Sequence, residues 1–295
     1  MDANEALAGQ FEEHRTRLRA VAYRMLGSFS EADDAVQEAW LRLSGAEAKG
    51  VENLGGWLTT VVARVCLNML RSRRAHPEVP LDPHVPDPVV SPAAGVDPED
   101  EALLTDSVGL ALLVVLDALP PVERLAFVLH DMFAVPFDEI GPMVGRSPAA
   151  ARQLASRARR RVQEAPTPDR DPSRQWAVVD AFLAAARGGD FAALVAVLDP
   201  EIVLRADLGT LPGSAVVRGP QAVAAQALRF ADPSRIVHPA LVNGAAGVVV
   251  TVDGTPIAIM GFTVVDDRII AMDALADPER IGALDLGFVL DDRSG

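Results

Sequence analysis

The stretch FDEIGPMVGRSPAAARQLASRARRRV, residues 137–162, reads as two short helices around a tight turn. Phe137, Ile140 and Val144 recur at spacings of three and four, so they share one face of a first helix. Gly145 and Arg146 turn the chain, Ser147 is suited to cap a second helix, and Pro148 to occupy its first position. In that second helix Leu154, Ala158 and Val162 repeat every four residues and face inward. Arg152, Gln153, Ser156, Arg159 and Arg160 then face outward. Six arginines and no acid lie between Arg146 and Arg161. The pattern is a helix-turn-helix whose basic second helix suits a DNA major groove. Pro142 interrupts the first helix and should shorten or kink it.

Working outward, the N-terminal segment carries three helical patterns. Leu7, Phe11, Leu18, Val21, Ala22 and Met25 mark the first, which Gly27 ends. Ser30 is a candidate cap for the second, whose apolar positions are Ala32, Val36, Ala39, Trp40 and Leu43. The third runs over about 53–74 with Leu58, Val61, Val62, Val65, Cys66 and Met69 inward. Arg64, Asn68 and Arg71 share another face, which Arg73 and Arg74 extend. Such a face can hold a phosphate backbone, or be simply the solvated edge of a helical bundle. Trp57, flanked by apolar residues, reads as core rather than as a base-stacking platform.

Prolines recur through residues 76–102, a segment with seven acids and no base. It cannot be helical and should be extended, separating two domains or lying against a partner. Helical patterns resume at 102–119 and, after Pro120-Pro121, at 122–132. Residues 166–173 form a second linker rich in proline and aspartate. The last third starts with helices around Trp176–Leu183 and Phe191–Leu198, then turns strand-like from Ile202. Val248–Val252, Asp253-Gly254 and Pro256–Val264 read as a hairpin, and Asp266-Asp267 as a further turn. Helices followed by a meandering antiparallel sheet indicate an α+β domain.

The net charge of −14 argues against a free-standing nucleic-acid binder, yet the acids concentrate outside the two basic helices. The single cysteine, Cys66, excludes an internal disulfide and a cysteine-built zinc site; no metal and no cofactor are expected. No apolar run reaches the length of a membrane span, and the first residues show no signal-peptide pattern, so a cytoplasmic protein with no membrane partner is expected.

On these residues the first 165 positions resemble an extracytoplasmic-function sigma factor of bacterial RNA polymerase. SEADDAVQEAWLRL is similar to the family's core-polymerase-binding helix in region two. GGWLTTVVARVCLNMLRSRR is similar to its promoter-melting and minus-10 segment. Residues 119–162, LPPVERLAFVLHDMFAVPFDEIGPMVGRSPAAARQLASRARRRV, are similar to region four, which reads the minus-35 element. Residues 174–291 resemble a SnoaL-like domain, a cone of curved sheet with helices closing a pocket; RGPQAVAAQAL carries that likeness. A sigma factor with such an extension resembles the subgroup typified by the actinobacterial sigma factor J.

The resemblance implies two all-α sigma domains, region two at 4–75 and region four at 103–165, joined by the linker 76–102. The linker 166–173 then leads to the α+β domain at 174–291. It implies promoter DNA and core RNA polymerase, through its beta-prime coiled coil, as partners. Asp33, Asp34, Gln37, Glu38 and Leu41 would face the polymerase. Arg64, Asn68, Arg71, Arg73 and Arg74 would meet the minus-10 element. Arg146, Ser147, Ala149, Arg152, Gln153, Ser156, Arg157, Arg159 and Arg160 would meet the minus-35 element, with Arg152, Gln153 and Ser156 at base edges and Arg146, Arg157, Arg159 and Arg160 at phosphates.

The extension would modulate activity, with Asp207, His238 and Asp273 as candidate pocket residues for a small-molecule ligand. Asp253 reads as a turn residue only. Catalysis is not expected of the chain. Two other readings remain: a stand-alone DNA-binding regulator, and a bifunctional protein with a ligand-binding or enzymatic C-terminal domain. The subgroup's regulatory motifs are altered here. The linker has His84-Val85-Pro86-Asp87-Pro88-Val89 without its tryptophan. Arg205-Ala206-Asp207-Leu208-Gly209 replaces an aspartate followed by a glycine run. Asp277-Pro278-Glu279-Arg280-Ile281 stands near the end.

Overall fold

The computed structural model describes residues 3–45, 53–75, 84–93, 109–166, 168–169, 171–209 and 215–288. The chain forms two compact units, one from Met1–Pro80 with Leu113–Ala165, the other from Leu81–Leu112 with Pro166–Gly295. The first unit begins with three helices, α1 (Ala3–Leu26), α2 (Phe29–Ser44) and α3 (Leu54–Ala75). Their periodic apolar residues meet as expected: Leu18, Val21, Met25, Val36, Leu43, Leu58, Val62 and Cys66 are all buried. Burial pushes the Cys66 thiol up to about 12, so it stays protonated and unreactive.

The second helix starts one residue before the expected cap Ser30. Phe29 stacks on Tyr23 with ring centroids 4.5 Å apart, and the Ser28 carbonyl accepts from the Ala32 amide at 3.0 Å. That ring pair fixes the entry of the helix, and Ser30 falls inside it.

The rest of this unit contains α4 (Leu110–Ala118) from Leu113 onward, α5 (Pro121–Phe127), a π-helical turn at Val128–Met132, α6 (Phe137–Val144) and α7 (Pro148–Glu164). The helices α6 and α7 are the expected helix-turn-helix. Gly145 takes φ 67°, ψ 37°, the left-handed conformation that glycine adopts without strain. Gly141 is required by packing: a Cβ there would come within 2.8 Å of the Arg146 carbonyl oxygen and 3.1 Å of the Pro148 nitrogen. The helix α6 passes through Pro142 and stops two residues later, a short element of eight residues.

Ser147 caps α7, its Oγ accepting from the Ala150 amide at 3.3 Å, with Pro148 at the first position. Ser147→Ala should destabilise this unit by about 1 kcal/mol in urea denaturation, the usual value of a serine cap. An unchanged midpoint would show that the long hydrogen bond contributes nothing.

The second unit holds a seven-stranded sheet in the order β1-β4-β5-β6-β7-β2-β3. Its strands are β1 (Val90–Pro92), β2 (Leu198–Asp207), β3 (Ala215–Arg218), β4 (Arg235–Val242), β5 (Ala245–Val252), β6 (Thr255–Val265) and β7 (Arg268–Leu275). All neighbours are antiparallel except β2 and β7. Three tight turns join the strands from β4 to β7: Asn243-Gly244, Asp253-Gly254 and Asp266-Asp267, every one of these residues at positive φ. These turns twist in the sense of the sheet, which is why they close hairpins.

Helices α8 (Pro172–Gly188), α9 (Phe191–Val197) and α10 (Pro220–Phe230) cover one sheet face through Val179, Phe182, Leu194 and Val223, which meet Ile202, Leu204, Val248, Phe262 and Met272. The other face gathers Ala240, Val242, Val249, Ile259 and Leu275 around Val85, with Ile281 from α11 (Pro278–Gly282).

Val85 marks the main departure from the expected domain boundaries. Residues 84–93 do not merely connect two domains. They lie along the C-terminal sheet, where Val90, Ser91 and Pro92 pair with Val242, Leu241 and Ala240. Prolines at 86, 88 and 92 hold the segment extended and remove amide donors, which restricts pairing to a sheet edge.

Candidate promoter-reading helices and linker seat

On α3, Arg64, Asn68 and Arg71 are exposed along one face, and no ion pair engages either arginine among the described residues. Arg73 is also exposed but pairs with Glu31 and donates to the Leu26 carbonyl at 3.4 Å. Arg74 lies in the last turn, its side chain outside the described residues. Trp57 is half-buried and lines a cleft of about 340 Å³ with Asn53, Thr60, Arg64, Glu139 and Met143.

On α7, Ala149, Arg152, Gln153, Ser156 and Arg160 are exposed, with Arg146 and Ser147 just before it. Leu154, Ala155 and Ala158 pack inward. The arginines divide into two groups that spacing alone does not separate. Glu123, only 5% exposed, holds Arg161 at 2.6 Å and Arg157 at 3.7 Å, while Asp131 holds Arg159 at 2.5 Å. These three tie the second helix to the body of its own domain. Among the described residues Arg146 and Arg160 have no such partner, and Arg152 rests against the Phe137 ring.

On α2, Asp34, Gln37 and Leu41 form an exposed stripe, Leu41 at 57% exposure. Asp33 pairs with Arg19 at 2.7 Å and Glu38 with Arg42 at 2.8 Å, both at the surface.

The stretches 84–89, 205–209 and 277–281 converge in the second unit. Asp207, 5% exposed, accepts from the Val85 amide at 2.9 Å and from Arg280 Nη1 at 2.8 Å; the His84 ring stands 3.7 Å away. Arg280 also donates to Asp87 Oδ1 through Nε at 2.6 Å and to the Val85 carbonyl at 2.5 Å. Asp277 caps α11 by accepting from the Glu279 and Arg280 amides, which fixes where Arg280 starts. A guanidinium fork thus joins two buried carboxylates and one backbone carbonyl, a use that lysine cannot reproduce. Arg280 was not a candidate from sequence; its place in Asp277–Ile281 was the available signal.

Asp207, His238 and Asp273 do not share a pocket between sheet and helices. Alternation along the strands puts them on the opposite face, since Leu204, Val237 and Met272 beside them pack toward the helices. His238 Nε2 lies 3.0 Å from the Thr251 hydroxyl, and Asp273 accepts from Arg205 at 2.8 Å. Burial pushes the Asp273 carboxyl above its usual value, against the opposing pull of Arg205. Such an acid contributes most to stability below the unfolded value of about 3.9, and this contribution is lost as pH rises through the folded value. The stability difference between wild type and Asp273→Asn should therefore shift against the wild type from about pH 4 upward. A flat difference in urea midpoints would show the carboxylate to be fully compensated.

Among the described residues Arg64 and Arg71 on α3, and Arg146 and Arg160 on the helix-turn-helix, make no ion pair, and α2 carries an acidic–apolar stripe, the arrangement expected of a transcription initiation factor of sigma-70 type. The chain matches the Sigma-70 region 2 family over residues 10–76 and the Sigma-70 region 4 family over residues 109–162. It is 41% identical over 215 residues to the ECF RNA polymerase sigma factor SigJ of Mycobacterium tuberculosis, covering 71% of this chain and 68% of that one. It is 32% identical to the probable ECF RNA polymerase sigma factor SigI of M. tuberculosis, covering 96% and 98%. The crystal structure of M. tuberculosis SigJ superposes with a TM-score of 0.72 at 35% identity, covering 95% of this chain and 99% of that one. The chain belongs to the extracytoplasmic-function (ECF) RNA polymerase sigma factors, and it carries a C-terminal α+β domain. It directs transcription initiation, as a subunit of a class that binds core RNA polymerase and promoter DNA and is not itself catalytic. Among the described residues no helix is long and apolar enough to cross a membrane.

Proposed function

We propose that the C-terminal domain modulates this sigma factor by holding the linker between its two promoter-reading modules. The observation that carries this is the Arg280 fork on Asp87, Asp207 and the Val85 carbonyl, together with the pairing of β1 on β4. A linker seated on a sheet has fewer accessible lengths than a free one, so its docking restricts how far the modules separate. Arg64, Asn68, Arg71 and Arg73, with Arg74 beside them, serve the minus-10 element. Arg146, Ser147, Ala149, Arg152, Gln153, Ser156 and Arg160 serve the minus-35 element. Arg157 and Arg159 divide their charge between phosphates and their acidic partners. Asp34, Gln37 and Leu41 meet the polymerase; Asp33 and Glu38 join them at little cost, because surface ion pairs are worth under about 1 kcal/mol.

Reconstituted transcription with core polymerase tests the assignment. The full chain and a truncation after Arg161 should both initiate at specific starts but at different levels. Equal levels remove the modulatory role. Failure of the full chain to join core polymerase in a pull-down removes the assigned polymerase face.

A further inference from the structure

Phe137 opens the first helix of the helix-turn-helix and touches two other side chains. The His130 ring stacks on it with centroids 3.8 Å apart at 28°, and the Arg152 guanidinium carbon sits 5.3 Å above its centroid. His130 is oriented in turn: its Nδ1 is 3.0 Å from the Val135 carbonyl oxygen. A carbonyl only accepts, so Nδ1 carries the proton and the imidazole plane is set. Val135 is buried, which anchors that acceptor.

Arg152 differs from the arginines further along α7. Arg157, Arg159 and Arg161 direct guanidinium donors at Glu123 or Asp131, so part of their hydrogen-bonding capacity is used within the domain. Arg152 has an aromatic face beneath it and, among the described residues, no carboxylate partner. Stacking restrains the guanidinium plane while leaving its N–H edge available. It lies in the second turn of α7, near the end of a reading helix that meets base edges. The base whose edge matches a guanidinium fork is guanine, through O6 and N7.

We propose that Phe137 is a positioning residue for promoter readout: supported by His130, its ring presents the Arg152 fork to one guanine of the upstream promoter element. The proposal rests on the reading of α7 as the minus-35 helix. It separates Arg152, which specifies sequence, from Arg157 and Arg159, whose contacts with phosphates position the helix and carry no sequence information.

The test is selection by the full-length holoenzyme from promoter duplexes randomised across the upstream element. The wild type should prefer guanine at one base pair by tenfold or more, within the range for a bidentate contact. Arg152→Ala should abolish the preference at that pair and at no other. Phe137→Leu should weaken it several-fold at the same pair, with unchanged salt dependence and melting temperature, and Phe137→Tyr should restore it. Phe137→Met, closer in length to the ring, replaces the leucine variant if that variant melts early.

The proposal is overturned if the Phe137 variants leave the preference intact or weaken all sequences equally. It is also overturned if Arg152→Ala retains every preference and only flattens the salt dependence, the mark of a phosphate contact. A wild-type holoenzyme with no upstream preference at all would overturn the underlying reading of α7, a result distinct from either of these.

Discussion

Arg280→Ala should destabilise the sheet domain by about 3 kcal/mol and free the linker strand, the lower end of the cost of removing one partner from a buried charge pair. Asp87 and Asp207 are each 5% exposed, and Arg280 is the cation that reaches both. Without it, two carboxylates remain close together in a poorly hydrated site, and the Val85 carbonyl loses a donor. The chain relieves this most simply by lifting residues 84–87 away and rehydrating both acids. Urea denaturation should report the stability loss, and hydrogen exchange should report faster exchange at the Val85 and Val89 amides, bonded to Asp207 and Asn243 in the docked state. Arg280→Lys should recover part of the stability and little of the exchange protection, since an ammonium gives charge without the planar fork. Slow exchange at Val85 in Arg280→Ala would show that β1 pairing alone seats the linker. Transcription by that variant should then match the wild type.

The helix-turn-helix was legible because each of its requirements is local. Cap, first-position proline, left-handed glycine and four-residue apolar repeat all lie within 26 residues and are satisfied by neighbours in sequence. The Asp253-Gly254 hairpin was legible for the same reason. Asn243-Gly244, which closes the β4–β5 hairpin with the same chemistry, sits among small apolar residues that blur the alternation on either side.

What was not legible depends on partners distant in sequence. Proline spacing announced an extended linker but carried no sign of the strand it would pair with, 150 residues later. Asp207, His238 and Asp273 were pocket candidates through the SnoaL-like resemblance, whose members use an Asp or His in an apolar pocket. Strand alternation decides their face, and the bulges in β2–β7 and β6–β7 pairing prevent that face from being counted from sequence. The sequence separated Arg152, set toward base edges, from Arg146, Arg157, Arg159 and Arg160, set toward phosphates, and carried no sign of the acids that hold some of them. Only the fold brings Glu123 of α5, and Asp131 of the π-helical turn after it, up to Arg157, Arg159 and Arg161.

A dye pair on the exposed residues Glu12 and Glu164 should show high energy transfer in the free protein and a large drop when core polymerase is added. The two sigma modules meet within the first unit. Arg124, 3% exposed, donates to the Met25 carbonyl at the end of α1 at 2.8 Å and to Asp117 of its own module at 2.9 Å. Arg17 donates to the Phe133 carbonyl at 3.0 Å, and the guanidiniums of Arg24 and Arg17 lie 4.8 and 6.0 Å from the Phe133 ring centroid. Arg64, a minus-10 candidate, faces Glu139 and Met143 of the helix-turn-helix across the Trp57 cleft. Two DNA elements read on the same side of a duplex lie at least one helical turn, about 34 Å, apart. With α3 and α7 reading two such elements as proposed, modules in this contact must part for recognition.

The contact is suited to parting, because much of it is arginine donating to backbone carbonyls that water also satisfies. Phe133→Ala removes two cation–π contacts of about 0.5–1 kcal/mol each, which should shift the closed–open ratio about five- to thirtyfold toward open. The free variant should therefore lose transfer before polymerase is present, and the wild type only after it. Transfer that stays high in the polymerase complex would mean that the modules engage one after the other rather than together, and the seated linker would then restrain nothing the promoter requires.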